Sequence, residues 1–349
     1  MYQSFRPGKF LYDVEGKLVQ AHGGSILYAN GTYYWYGENK EGITGMATGE
    51  RCPHWHHGVR LYSSKDLYNW KDEGCIVKES DDPGNPFHPS RIMDRPHILF
   101  NEKTGQYVLY AKTSSKDFGS CTFSVCVGDS LFSLRYSHDL DLGPFHAGDF
   151  DLFLVGEEAY IVFENPHDCM VLARLSEDYL SIVPGSFERH LEKPFPPYVR
   201  EAPAHFARNG RHYLLTSGTT GYFPNRSRVY DITDLHGHWV DLGDPCIEDR
   251  KGNSFHSQFS SVFHDPNHPE LFIALGDRWL IDLVEDLPDM DEAFVEMFDP
   301  SRGGKKPTLY APNLSDENTS LATYVWLPIS FDENGIPLIR YRREWTKDE

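Results

Sequence analysis

One phrase returns five times along this chain: a few apolar residues, a turn, then an aromatic-rich strand. It reads Ser25-Ile26-Leu27, a turn at Asn30-Gly31, then Tyr33-Tyr34-Trp35-Tyr36. It returns as His97-Ile98-Leu99-Phe100 before Tyr107-Val108-Leu109-Tyr110, and as Asp151-Leu152-Phe153-Leu154 before Tyr160-Ile161-Val162-Phe163. The last two copies run from Ala204-His205-Phe206 to Tyr213-Leu214-Leu215-Thr216, and from Ser260-Ser261-Val262-Phe263 to Leu271-Phe272-Ile273-Ala274. The anchors Tyr33, Tyr107, Tyr160, Tyr213 and Phe272 lie 53 to 74 residues apart. A hairpin repeated at such a period predicts radial repetition of small antiparallel sheets: an all-β, five-bladed β-propeller with four-stranded blades. The first strand of every blade then surrounds one axis, so polar residues at those strands converge.

Further strands extend the hairpins. Gly58–Ser63, Met170–Leu175 and Arg228–Ile232 each follow a first hairpin, and turns at Ser64-Lys65-Asp66, Ser176-Glu177-Asp178 and Thr233-Asp234 follow them. The fifth blade is interrupted at about 280–322 by an acidic, Pro-containing insertion with room for one short helix, and resumes at Tyr324-Val325-Trp326. Residues 1–20 are expected to supply a closing strand, because a ring of blades must hide its sheet edges. No blade buries both faces alone, so residues 1–349 read as a single propeller domain. Twenty-three Pro, 29 Gly and 14% aromatic residues fit many short strands and turns.

The formal net charge of −19 disfavours nucleic acid and anionic membranes as partners. A neutral carbohydrate meets no such penalty. The oligomeric state is not readable. No apolar run approaches the ~18 residues of a membrane span, and the first ten residues lack the core of a signal peptide. The expected location is the cytoplasm, or outside the cell if a leader has been removed. The six cysteines are scattered and read as reduced core thiols.

The polar residues at the blades' first strands form the candidate site. They are Gln20-Ala21-His22-Gly23-Gly24, Asp94-Arg95-Pro96, Asp149-Phe150-Asp151, Arg200-Glu201-Ala202-Pro203 and His256-Ser257-Gln258. Three blades bring a carboxylate there. Several carboxylates in one pocket, one with a raised pKa, suit glycoside hydrolysis: one acid protonates the leaving oxygen while a base activates water on the opposite face. Taken singly, such residues also cap turns or pair with Arg95 and Arg200.

These strings resemble glycoside hydrolase family 43, with the nearest likeness to its exo-β-1,3-galactanase subgroup. Gln20–Gly24, Asn30–Glu38, Tyr62–Lys71, Arg95-Pro96, Glu201-Ala202-Pro203, Thr216–Gly221, Gly276–Trp279 and Tyr324–Pro328 carry the likeness in order, over about residues 15–345. The resemblance implies an inverting, exo-acting hydrolase that releases galactose from β-1,3-linked galactan. The alternatives are an arabinofuranosidase, xylosidase or galactofuranosidase of the same family, or a non-catalytic sugar-binding propeller. It assigns Glu201 as general acid and Asp149 as the residue that orients and tunes it. The family's blade-one base aspartate is missing, replaced by His22-Gly23-Gly24. In the subgroup a blade-five glutamine is the unusual base, here Gln258. Asp94 matches a sugar-contacting glutamate with a shorter side chain.

A neutral amide is a weak base, which leaves Asp94, Glu38 and His22 as alternative proton acceptors. Gln20, His22, Glu38 and Asp94 are the candidate polar sugar contacts. Trp35, Tyr222, Trp279 and Trp326 are candidate stacking surfaces, of which one or two are expected to serve. Cys52, His54, His56 and His57 match no standard zinc spacing and read as a loop at the pocket rim. No cofactor is required. The resemblance implies a structural Ca²⁺ in the axial channel, with His256 as its candidate neighbour.

Overall fold

The computed structural model describes residues 1–42, 44, 54–115, 119–282, 290–302 and 318–348. Five four-stranded antiparallel sheets follow one another along the chain. Blade one is β1 (His22–Ala29), β2 (Thr32–Glu38), β3 (Val59–Ser64) and β4 (Lys71–Val77). Blade two is β5 (Ile92–Asn101), β6 (Gln106–Ser114), β7 (Cys121–Gly128) and β8 (Arg135–Asp139). Blade three is β9 (Phe150–Val155), β10 (Glu158–Asn165), β11 (Cys169–Arg174) and β12 (Glu188–His190). Blade four is β13 (Arg200–Arg208), β14 (Arg211–Gly218), β15 (Arg228–Asp231) and β16 (Val240–Gly243). Blade five is β17 (Gln258–His264), β18 (Phe272–Arg278), β19 (Thr323–Phe331) and β20 (Pro337–Ile339).

The leading hairpins form where the sequence places paired left-handed residues. Asn30 and Gly31 have φ of 51° and 72°, and Asn209 and Gly210 have 53° and 77°. Two successive positive φ values match the twist of the flanking strands, which is why Asn-Gly sits at both turns. The first strands then close a ring: β1 contacts β5 and β17, β9 contacts β5 and β13, and β13 contacts β17. This is the five-bladed, all-β propeller expected from the repeat.

The hydrophobic core lies between blades rather than within them. Trp35 and Tyr62 of blade one interlock with Phe263, Tyr324 and Trp326 of blade five. Tyr110 and Phe123 of blade two pack on Phe150 and Phe163 of blade three. Similar clusters fill the other three junctions. Each blade therefore buries its apolar faces only against its neighbours, as radial repetition requires.

The expectation about the chain's N-terminal end changes in detail, and the one about the insertion holds. Residues 1–20 add no strand to a sheet. They run as a strap across the junction of blades five and one, held by an isolated bridge between Phe5 and Trp345 and by backbone bonds from Gly8 to Tyr324 and from Val14 to Trp70. Aromatic packing replaces strand pairing here: Phe5 stacks on Trp345 at 4.1 Å, and the Trp345 indole donates to the Trp326 carbonyl at 2.9 Å. In the blade-five insertion, α1 (Met290–Phe298) supplies the short helix. Residues 283–289 and 303–317 of that segment lie outside the described residues, as does Cys52.

Trp345 is buried and joins both ends of the ring. Trp345→Ala is expected to cost about 3–5 kcal/mol, the usual range for removing a large buried aromatic. Urea denaturation monitored by circular dichroism measures it; a loss below about 1 kcal/mol would show that the strap does not hold the ring closed.

Candidate active site

Three of the five first strands open with the same deformation. The register shifts between His22 and Ser25 in β1, between Asp94 and His97 in β5, and between Glu201 and Ala204 in β13. In each, the residue after the functional position is left-handed: Gly23 at φ 61°, Arg95 at 54° and Ala202 at 47°. Such bulges bend a strand and re-aim the side chain beside them. For Arg95 and Ala202 the conformation costs about 1 kcal/mol or more each, and Pro96 and Pro203 follow directly. β17 shifts register one step later, between Phe259 and Ser261.

The second strand of each blade supplies a partner directly opposite. His22 faces Glu38, Asp94 faces Lys112, Glu201 faces Ser217, and Gln258 faces Asp277. In blade three, the Glu164 N–H donates to the Asp149 carbonyl at 2.8 Å, which places these two residues in the same relation. The axis thus carries two rings of polar residues, one from each strand of the leading hairpins.

Glu38, Asp94, Arg95, Lys112, Asp149, Glu201 and Gln258 line one pocket of about 200 Å³, with Trp55, Gly221, Tyr222 and Trp279. Asp149 is its electrostatic centre. One carboxylate oxygen pairs with Arg95 at 3.1 Å and the other with Lys112 at 3.1 Å. Lys112 also reaches Asp94 at 3.2 Å, and the Trp55 indole donates to the other Asp94 oxygen at 2.7 Å. Glu38 pairs with Lys40 at 2.9 Å and accepts the Arg95 N–H at 3.0 Å. The Gln258 amide donates to Glu201 at 2.9 Å and to the Ser217 hydroxyl at 2.8 Å, while its carbonyl oxygen accepts from Arg95.

The carboxyls of Asp149 and Glu201 are driven in opposite directions. Burial alone would raise Asp149, but the positive charges of Arg95 and Lys112 outweigh it, and hydrogen bonds from Lys112 and the Ala202 N–H help hold it at about 2. Burial pushes Glu201 well above the usual carboxylate range. The negative charges of Asp149 and Glu164 push it further, against the pull of Arg95 and Lys112. Glu164 itself is raised to about 7, by burial first and Asp149 second. Glu38 is raised by burial, with Lys40 opposing and Asp94 adding. One carboxylate held low beside one carboxyl driven well above the usual range is the environment of an acid catalyst and its tuning partner.

Several expected contacts lie elsewhere. Trp35 and Trp326 belong to the core between blades five and one, with their rings 4.5 Å apart. Trp35 faces that junction because its neighbours in the strand, Tyr34 and Tyr36, take the opposite face. His22 is fully buried, stacked on Tyr324 and bound through Nδ1 to Asp277 at 2.9 Å. Its other nitrogen lies 3.3 Å from the Tyr324 hydroxyl. Gln20 is buried and donates to the Ser320 carbonyl at 2.8 Å. None of these four side chains lines the pocket, so neither sugar contact nor, for His22, a base role follows from their positions. Arg200 turns away from the carboxylates to Thr216 and the Arg226 carbonyl. Tyr222 and Trp279 do line the pocket, edge to face at 5.1 Å.

Trp55 and Lys112 are pocket residues that the reading of the first strands does not reach. The blade repeat carries a signal for Lys112: Glu38, Lys112, Glu164, Ser217 and Asp277 all fall four or five residues after the blade's aromatic anchor. Trp55 comes from the rim loop, and Lys40 fastens that loop by donating to the Trp55 carbonyl at 2.9 Å. His256 directs Nε2 to the Leu280 carbonyl at 2.7 Å. Among the described residues no group of three His, Cys, Asp or Glu side chains gathers in a way that would hold a metal ion.

An axial pocket that pairs a carboxyl of raised pKa with a clamped carboxylate has the two groups that acid-catalysed cleavage of a glycosidic bond requires. The profile of glycosyl hydrolases family 43 matches residues 19–283, and the chain belongs to that family. No curated protein sequence matches it. Among solved structures, a family 43 β-1,3-galactosidase superposes with a TM-score of 0.81 at 26% identity, covering 99% of this chain and 64% of the other. The chain therefore spans somewhat less than two thirds of that relative's length. A second family 43 β-1,3-galactosidase, solved with galactodeoxynojirimycin, gives a TM-score of 0.77 at 24% identity, covering 98% and 100% of the two chains. The exo-β-1,3-galactanase of Phanerochaete chrysosporium, solved as a single-residue variant with β-1,3-galactotriose, gives 0.76 at 21% identity, covering 99% and 68%.

Because the Asp149 charge helps keep the proton on Glu201, Asp149→Asn is expected to lower the pH at which Glu201 ionises. A carbon-13 NMR titration of glutamate-labelled protein, with Glu201→Gln assigning the signal, measures it. An unchanged or raised midpoint would mean that Asp149 does not set the state of Glu201.

Proposed function

We propose that this glycoside hydrolase is an exo-acting, inverting enzyme that removes galactose from the non-reducing end of β-1,3-linked galactan or its oligosaccharides. The observation that carries the catalytic part is the Gln258-bound carboxyl of Glu201, half-buried in the pocket and pushed well above the usual carboxylate range by burial and by the Asp149 charge. Glu201 gives its proton to the glycosidic oxygen as the bond to the anomeric carbon breaks. Asp149 holds the acid in place through the Ala202 N–H and keeps the proton on it until the leaving oxygen needs one.

Water attacks the anomeric carbon from the opposite face. Gln258 is the group proposed to hold it. Its amide is fixed at both ends by Arg95, Ser217 and Glu201, and its carbonyl oxygen keeps a second lone pair for water. Asp94 is the alternative for this role: each of its oxygens has one partner, Trp55 or Lys112, and keeps a lone pair. Asp94 and Glu38 also suit the sugar hydroxyls, and Tyr222 and Trp279 suit its apolar face. A pocket of about 200 Å³ is smaller than the ~300–1,000 Å³ of sites that enclose drug-sized ligands. It suits one sugar ring, which supports exo action. The choice of β-1,3-linked galactose rests on the galactosidase and galactanase neighbours.

Wild-type protein is expected to release galactose from β-1,3-galactobiose in preference to aryl arabinofuranosides, xylosides and galactofuranosides. Early proton NMR spectra of the reaction should show α-galactose first, before mutarotation. Glu201→Gln should lower kcat on the disaccharide by ~10²–10⁴-fold while leaving sugar binding in place, because general acid catalysis is worth about that much. Early β-galactose would replace inversion with retention, which needs a nucleophilic carboxylate ~5–5.5 Å from the acid. No turnover across the whole panel, with galactose still bound, would make the protein a sugar-binding propeller.

A further inference from the structure

Lys112 is the charged pocket residue that the proposed mechanism leaves without a task. It lies on β6, in an otherwise apolar and small-residue run from Val108 to Ala111, and faces Asp94 across the hairpin. Its side chain is half-buried, 17% exposed, and an ammonium with so little water around it needs its charge compensated. Two carboxylates compensate it, and they belong to different blades: Asp94 at 3.2 Å and Asp149 at 3.1 Å. An ammonium has three N–H donors, so a third remains for the pocket that Lys112 lines.

We propose that Lys112 is a positioning residue that ties the sugar-facing Asp94 to the acid-tuning Asp149, and thereby sets the upper end of the pH range in which Glu201 holds its proton. The proposal deepens the hydrolase reading given above and rests on it. The groups that face Glu201 from every side are Asp149 from blade three, Glu164 from β10, Arg95 and Lys112 from blade two, and Gln258 from blade five. Arg200 precedes it but points away. Asp149 and Glu164 favour the protonated acid; Arg95 and Lys112 oppose them. Arg95 is also committed to Gln258. Lys112 is therefore the cation whose removal changes the balance at Glu201 while leaving the amide in place. It also anchors Asp94, so that the same side chain bears on sugar recognition and on the acid.

The test compares Lys112→Met, which keeps the length and removes the charge, with Lys112→Arg, which keeps the charge. The first readout is the Glu201 ionisation midpoint by carbon-13 NMR, which requires no substrate. It should rise in Lys112→Met by on the order of one pH unit, a usual shift for losing a nearby opposite charge, and stay near the wild-type value in Lys112→Arg. Asp149→Asn shifts the same signal downward and serves as the reference for sign. The second readout is the pH profile of kcat/KM on whichever glycoside the wild type turns over. Its alkaline limb should move up with the midpoint, with KM raised as Asp94 loses its anchor. If Lys112→Met does not fold, Lys112→Gln carries the same comparison. A midpoint that stays put in a folded, charge-free variant overturns the proposal, as does a lower midpoint. Failure to cleave β-1,3-galactobiose would count against the substrate assignment alone, because the titration reports the charge balance whether or not turnover occurs.

Discussion

Everything at the axis of this propeller depends on how the buried charge of Asp149 is held. A carboxylate taken out of water is destabilised by several kcal/mol unless its partners are close and well directed. Here each oxygen has its own cation, Arg95 on one and Lys112 on the other. Both cations come from blade two, whereas the carboxylate comes from blade three. The pairing therefore joins two blades at the point where the hydrophobic core gives way to the pocket. Once Asp149 is fixed as an anion, its neighbours must respond. Glu201 and Glu164 both feel its charge. The cations that oppose that charge at Glu201 are the two that Asp149 already holds, and at Glu164 the opposing cation is Lys112. Both carboxyls are raised, by burial first and then because ionising them would add negative charge to a site that already holds the Asp149 carboxylate.

The same constraint explains the backbone. A regular strand would alternate its side chains between the two faces of each blade and bury them in the cores on either side. The bulges at Gly23, Arg95 and Ala202 interrupt that alternation just before the core begins. Beyond them the strands become regular, with Ile26, Ile98 and Phe206 packing between blades. Each leading strand is thus divided into a polar start that serves the pocket and an apolar remainder that holds the ring. Blade three reaches the same result without a bulge in its ladder, because Asp149 precedes the strand. The left-handed conformation is costly at Arg95 and Ala202, and it persists because the flanking contacts leave no alternative: the Arg95 N–H is used by Glu38 and the Ala202 N–H by Asp149.

The repeat of apolar run, turn and aromatic strand made the five blades and their leading hairpins legible, because it reports the one packing problem that each blade must solve. The carboxylates at the strand starts were legible for the same reason, being anchored to that repeat. Trp35 and Trp326 were harder to place. An aromatic residue in a strand reads the same whether it faces a neighbouring blade or a ligand, and here the junction of blades five and one takes both. Lys112 stood in plain view but has meaning only opposite Asp94, a cross-strand relation that a linear reading of first strands does not reach. Trp55 was hidden for a different reason. It arrives from a loop rather than from the repeat, and is placed by Lys40 and Asp94. The strap of residues 1–20 joins the ring by stacking aromatics, and strand periodicity carries no signal for that.

The blade-one position, where the family's usual base aspartate is absent, has been given over to a different task. Gly23 has its open face against Glu38: a Cβ there would lie 2.4 Å from the Glu38 Oε1. At Gly24 a Cβ would lie 1.9 Å from the Tyr36 carbonyl oxygen, so no side chain fits without parting the hairpin. The Asp277 carboxylate then fills the space beneath, taking both the Gly23 N–H and the His22 ring at 2.9 Å. With two glycines and a buried histidine, this strand start cannot project a carboxylate toward a substrate. It brings the backbone close enough for Glu38 on the second strand to reach Arg95 instead. The first strand of blade one has thereby ceded its polar position to the second. In a pocket built this way, a group that acts on water cannot come from the first strand of blade one, which is why the proposed role falls to Gln258, held between Arg95 and Glu201.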